Sequence, residues 1–155
     1  MSPKKPIINF ILQDKRWVKL LPVWRQNISL AFEKAAQALG ENFSDTEVSV
    51  VLSNDREVQK LNKTFRHKDK PTNVLSFPSE LKEELGDIVL AYETVREEAR
   101  EMEISVLHHT LHLIVHGFLH LLGYDHEKDA AAQKMEAMEI YILEGLNIAN
   151  PYEER

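Results

Sequence analysis

The stretch from Val106 to His126, VLHHTLHLIVHGFLHLLGYDH, decides how the rest of the chain is read. Apolar residues surround it nearly all round from Val106 to Leu122, the pattern of a helix buried against a core. Gly123 then supplies the left-handed conformation that stops a helix and turns the chain sharply. His116 and His120 are four residues apart, so on a helix their Cβ atoms stack on one face about 5–6 Å apart. His126 lies three residues past the glycine and can swing back to the same point. Each histidine taken alone reads as a hydrogen-bonded interior residue. All three at this spacing, with glycine at the turn, read as a metal site. Three neutral imidazoles and one open position form the catalytic type of zinc site, and one zinc ion per chain is the expectation. Imidazole also suits nickel, cobalt, copper and iron.

The spacing H-x3-H-x2-G-x2-H equals that of the metzincin proteases, in which a glutamate directly after the first histidine serves as general base. Here that position is Gly117, which has no side chain to move a proton. The chain therefore has a protease-like metal helix without the protease base, and peptide hydrolysis is disfavoured. Phosphodiester hydrolysis is the natural alternative, because a metal ion both acidifies water and offsets charge on a phosphate. Two readings of Gly117 stand side by side: room beside the metal, or close packing of the helix.

Outward from this helix, the chain has 155 residues, 43% hydrophobic and 28% charged, which reads as one globular domain over residues 1–155. The absence of cysteine excludes disulfides, thiol nucleophiles, iron–sulfur clusters and Cys-based zinc sites, so a metal must use His, Asp or Glu. The net charge of −6 excludes a uniformly basic nucleic-acid binder but not a local basic patch. The apolar stretch Pro6–Leu12 is broken by Gln13 and Asp14 and reads as a strand rather than a signal peptide. No run approaches the roughly 20 apolar residues of a membrane helix, so the simplest compartment is the cytosol and no membrane partner is expected.

Periodicity places strands at Ile7–Leu12, Thr46–Leu52, Val74–Phe77 and Asp87–Ala91. It places helices over about Pro22–Leu39, from Ser53 or Asn54 through Phe65, over about Tyr92–Met102, over Val106–Leu122 and over Asp129–Leu146. The two adjacent strands with no helix between them imply an α/β (α+β) fold. The expected form is a small mixed four-stranded sheet with one antiparallel edge strand, covered by about five helices, the metal helix among them.

Between Lys60 and Lys70 five basic residues face one acid, a local +4 in an acidic chain. Nucleic-acid affinity depends on neutralising phosphates, so Lys63, Lys68 and Lys70 are candidate substrate-binding residues, the alternative being a solvated helix end. Arg66 is the candidate catalytic residue of this strip, because its guanidinium can fork onto a phosphate. Asp125, beside the third histidine, either acts as a base, accepts a hydrogen bond from an imidazole, or forms a turn. His112, one turn before His116, is either a core histidine or a group facing a ligand or the substrate. Thr72, Asn73 and Ser76 are candidates for the cleft lining, with Val74 and Ser76 on one face of their strand and Leu75 and Phe77 on the other. From Glu127 to Arg155 seven acids oppose three bases. That is a solvated acidic face or a surface for a basic protein.

The run HGFLHLLGYDH, from His116 to His126, resembles the signature of the YbeY family of metal-dependent endoribonucleases. LNKTFRHKDKPTNVLSFP, from Leu61 to Pro78, is similar to that family's other signature block. LGDIVLA, from Leu85 to Ala91, is similar to its next strand, and the terminal NPYEER also looks typical. The similarity is scattered over about residues 46 to 152. The resemblance implies that His116, His120 and His126 are zinc ligands and that Arg66 is a functionally important arginine. It also implies cleavage of single-stranded RNA, with roles in ribosomal RNA processing, notably 3′-end maturation of the small-subunit RNA, and in ribosome quality control. A ribosomal RNA precursor is then the expected substrate and a small-subunit ribosomal protein a candidate partner. His67 departs from the glycine expected there, which puts the loop's turn in question but not the metal. The alternative function is a non-catalytic ribosome-assembly factor stabilised by its zinc.

Overall fold

A computed structural model describes residues 3–68 and 72–153. In chain order the elements are β1 (Ile7–Leu12), α1 (Arg16–Leu20), α2 (Trp24–Leu39), β2 (Glu47–Ser53), α3 (Asp55–Arg66), β3 (Val74–Pro78), β4 (Glu84–Ala91), α4 (Tyr92–Met102), α5 (Val106–Leu121) and α6 (Asp129–Glu144). The sheet order is β1-β2-β4-β3. β1 pairs parallel with β2 and β2 parallel with β4, while β3 runs antiparallel to β4 at the edge. The mixed sheet with one antiparallel edge strand is therefore as expected.

Strand alternation sorts the core into two layers. Val50, Leu52, Ile88 and Leu90 point toward α2, α5 and α6 and form the larger core. Val51, Val89 and Leu75 point the other way, onto Val58 of α3. β3 splits as its period of two requires: Leu75 and Phe77 join the α3 side, and Val74 packs on the α5 side. Phe118 of α5 meets Phe32 and Phe43 edge-on, with ring centroids 4.9 and 5.3 Å away. That aromatic cluster anchors the histidine helix to the core beneath it.

Two elements differ from the sequence reading. α1 has only five residues, too few for a periodic pattern. Asp14 accepts from the Arg16 backbone N–H at its start, and fully buried Trp17 donates its indole N–H to the Ser53 carbonyl at 2.7 Å. β4 begins at Glu84 rather than Asp87, because its parallel pairing with β2 reaches back to Glu84 opposite Glu47 and its pairing with β3 to Gly86 opposite Pro78. The caps follow local chemistry. Asn54, not Ser53, caps α3 by accepting from Glu57 N–H at 3.0 Å, and Ser105 caps α5 by accepting from His108 N–H at 3.0 Å. No helix among the described residues is long and apolar enough to cross a membrane.

Candidate metal centre and cleft

α5 ends at Leu121, and Gly123 takes φ +99°, a conformation that L side chains rarely adopt. The turn this creates brings His126 back to the helix. His116 Nε2 and His120 Nε2 are 3.1 Å apart, and His126 Nδ1 is 2.9 Å from His120 Nε2. One ring nitrogen from each of the three lies within 4.8 Å of the others, so the trio could hold a metal ion.

The outer nitrogens settle the chemistry of the inner ones. His120 Nδ1 is 3.1 Å from the Tyr124 carbonyl, which can only accept, so Nδ1 carries the proton and Nε2 presents its lone pair. His116 Nδ1 is 2.5 Å from Oε1 of Glu139, a carboxylate, which fixes the same tautomer. Two lone pairs thus face each other at 3.1 Å, an arrangement that repels unless a cation lies against both. The donor set fits zinc or a similar ion on these grounds. Burial, reinforced by the neighbouring His116 and His126, lowers the His120 pKa to about 4, which keeps it neutral and ready to ligate.

Glu139 escaped the sequence reading, in which it was one of the acids of the last helix. It is 0% exposed and sits on the buried face of α6 with Met135, Ile142 and Leu143. A charge at an apolar period position was the available signal. Burial works to raise its pKa, but the nearby His112 and the hydrogen bonds from His116 and Tyr152 outweigh it and hold the carboxyl at about 2. Tyr152 donates its hydroxyl to Glu139 Oε2, and burial with the Glu139 charge raises the phenol's pKa. His112 lies between these groups, with Nε2 3.4 Å from the Tyr152 hydroxyl and 3.7 Å from Glu139 Oε1.

The three histidines open onto a cleft of about 750 Å³. Asn62 and Arg66 of α3 also line it, with Lys68, Thr72, Asn73 and Ser76. Arg66 and Lys68 are therefore brought to the cleft that holds the three histidines, while Lys63 is not among its lining residues. Lys70 lies outside the described residues. Asp125 lines the cleft, and its Oδ1 accepts from Glu127 N–H at 3.0 Å, so of its three readings the turn former has a hydrogen bond behind it. His112 lines an adjoining hollow with Asn73, Glu98, His109 and Tyr152 rather than the main cleft. His67 sits at φ +57°, so the residue in the glycine position still makes the left-handed turn that ends α3.

Gly117 is also decided by the structure. A Cβ there would come within 3.0 Å of Ile88 Cγ2 and of Ser76 Oγ. The missing side chain lets α5 lie tightly on β3 and β4, and packing is the reading that holds.

A mixed sheet carrying a three-histidine helix-and-turn site that could hold a metal ion, in a cleft that an arginine also lines, defines the class of scaffold. The family described as Endoribonuclease YbeY matches residues 13–147, and the chain belongs to that family. It is 49% identical over 138 residues to the Endoribonuclease YbeY of Bradyrhizobium diazoefficiens, covering 83% of this chain and 75% of that protein. It is 44% identical over 153 residues to that of Azorhizobium caulinodans, covering 94% and 95%. Its fold is similar to the solution structure of TM1509 from Thermotoga maritima, with a TM-score of 0.56 and 26% identity over 96% of this chain.

Proposed function

We propose that this chain is a single-domain, zinc-dependent endoribonuclease that hydrolyses phosphodiester bonds in single-stranded RNA. Its setting is ribosomal RNA processing in the cytosol, with 3′-end maturation of small-subunit RNA and ribosome quality control as the roles. The carrying observation is the set of converging imidazole nitrogens in a cleft that Arg66 and Lys68 also line. Family membership supports the same reading.

His116, His120 and His126 would hold the ion. Zinc, when bound, supplies Lewis acidity that acidifies water and offsets phosphate charge. Tyr124 and Glu139 hold the ligand imidazoles in the tautomer that ligates. Arg66, which lines the same cleft, reaches the scissile phosphate, where its planar fork supplies two parallel hydrogen bonds to the phosphoryl oxygens. Lys68 binds a neighbouring phosphate as a point charge. Gly117 has no side chain to act as a base for peptide hydrolysis, and the space a side chain would take is filled by Ile88 and Ser76.

The test is a defined single-stranded RNA incubated with purified protein, with chelator, and with zinc restored after chelation. Cleavage that stops with chelator and returns with zinc supports the reading. Zinc binding without cleavage returns the non-catalytic assembly factor, and a peptidase abolished by His116→Ala rejects both.

A further inference from the structure

A fully buried charge calls for an explanation. Glu139 is the only carboxylate among the described residues that is buried outright. Taking a carboxylate out of water costs several kcal/mol, and an apolar side chain of similar shape at such a place is often neutral or stabilising. Packing of α6 therefore does not account for it.

What does account for it is the division of labour between its two oxygens. Oε1 accepts from His116 Nδ1 at 2.5 Å, and Oε2 accepts from the Tyr152 hydroxyl. The first contact keeps the His116 Nε2 lone pair turned toward His120. The second stops the carboxylate from rotating away from the first. Tyr152 lies beyond α6, in the NPYEER segment, and is itself aimed. Asn150 Oδ1 accepts its backbone N–H at 2.8 Å, and its ring stands edge-on to His112 at 5.6 Å. Yet Tyr152 remains 42% exposed, so it contributes little to the core.

We propose that Glu139 and Tyr152 form a positioning unit for the metal-binding nitrogen of His116, so that the segment after the last helix sets metal affinity without supplying a ligand. This rests on the metal site proposed above.

The experiment measures Zn2+ affinity by competition with a chromophoric chelator, alongside thermal unfolding of the metal-free protein. Wild type, Glu139→Gln, Tyr152→Phe and His120→Ala are compared. Glu139→Gln should weaken Zn2+ binding about 10–100-fold, the usual cost of removing a ligand's hydrogen-bond partner, and Tyr152→Phe by about 3–10-fold. Tyr152→Phe keeps the ring but loses one hydrogen bond to the buried carboxylate, so its metal-free melting temperature should fall by a few degrees while its Zn2+ affinity weakens with it. The loss of affinity separates positioning from a structural role, in which the melting temperature falls and the affinity stays. Should Glu139→Gln fail to fold, Tyr152→Phe decides alone. Wild-type Zn2+ affinity in Tyr152→Phe overturns the proposal while a wild type that binds Zn2+ and a His120→Ala that does not leave the metal site standing. A wild type that binds no Zn2+ overturns both.

Discussion

The two walls of the cleft are ordered to different degrees. On the α5 wall, His116 and His120 each have their outer nitrogen hydrogen-bonded, and Phe118 roots the helix in an aromatic cluster. On the α3 wall, Arg66 and Lys68 are exposed at a helix end. The difference matches what each wall would do under the proposed function. Ligating nitrogens must converge to within a few tenths of an ångström, and that demands tethering from behind. Phosphate contacts act through charge over longer distances and tolerate solvent. Loss of a tethered group should therefore abolish the site, while loss of a solvated one should only weaken it.

The largest effect tests the tethered wall. His120 is the nitrogen from which both other histidines are about 3 Å distant, so His120→Ala should drop zinc from about one per chain to background and abolish cleavage. Full metal retention by elemental analysis would break the ligand set. Acid should do the same job reversibly. His120 has a folded pKa of about 4 against an ordinary value of 6.5, so the unfolded chain takes up more protons between them. Glu139 is held at about 2 against 4.5, with the same sign over its own window. Metal-free stability should fall as pH drops from about 6.5 toward 2, and zinc affinity should fall through the first part of that range. Stability that rises on acidification from pH 6.5 to 4 would contradict the burial of these groups.

The solvated wall is sharpened by Arg66→Lys. The charge remains but the planar fork is lost. Zinc and most RNA affinity should persist while single-turnover cleavage slows about ten-fold or more, at least roughly 1.4 kcal/mol of transition-state stabilisation. Equal rates would make Arg66 a docking residue only.

Gly117→Ala probes how closely the tethered wall lies on the sheet. Overpacking against Ile88 and Ser76 costs about 1–3 kcal/mol, and the better helix propensity of alanine returns about 1. A net loss of about 1 kcal/mol in denaturant unfolding is expected. A more stable variant would mean that the helix has slack. Smallest of all, Lys68→Ala should raise the RNA Kd about two- to five-fold and reduce its salt dependence, with little effect at saturating RNA. Lys63→Ala should do less, because Lys63 does not line the cleft. A larger effect from Lys63 would move the RNA path away from the Arg66 wall.

Much of this was legible in the sequence because it is local. His116 and His120 are neighbours by helix geometry alone, Gly123 announces its turn, and the alternation in Val74–Phe77 sorts its side chains onto the two faces of the sheet. The order of strands and helices also followed from periodicity, except where an element was too short to show one, as in α1.

What the tertiary structure alone decided lies in contacts between residues far apart in the chain. Glu139 is 23 residues from His116, and Tyr152 is 40 from His112, so no periodic pattern could join them. Gly117 was ambiguous until Ser76 and Ile88 stood within 3.0 Å of its absent Cβ. Lys63 and Lys68 looked alike as charges, and only the folded cleft, which Lys68 lines and Lys63 does not, separated them. Spacing along a helix is set by bonds and backbone hydrogen bonds that every residue carries. Which distant side chain closes a buried hydrogen bond is set by how whole elements pack.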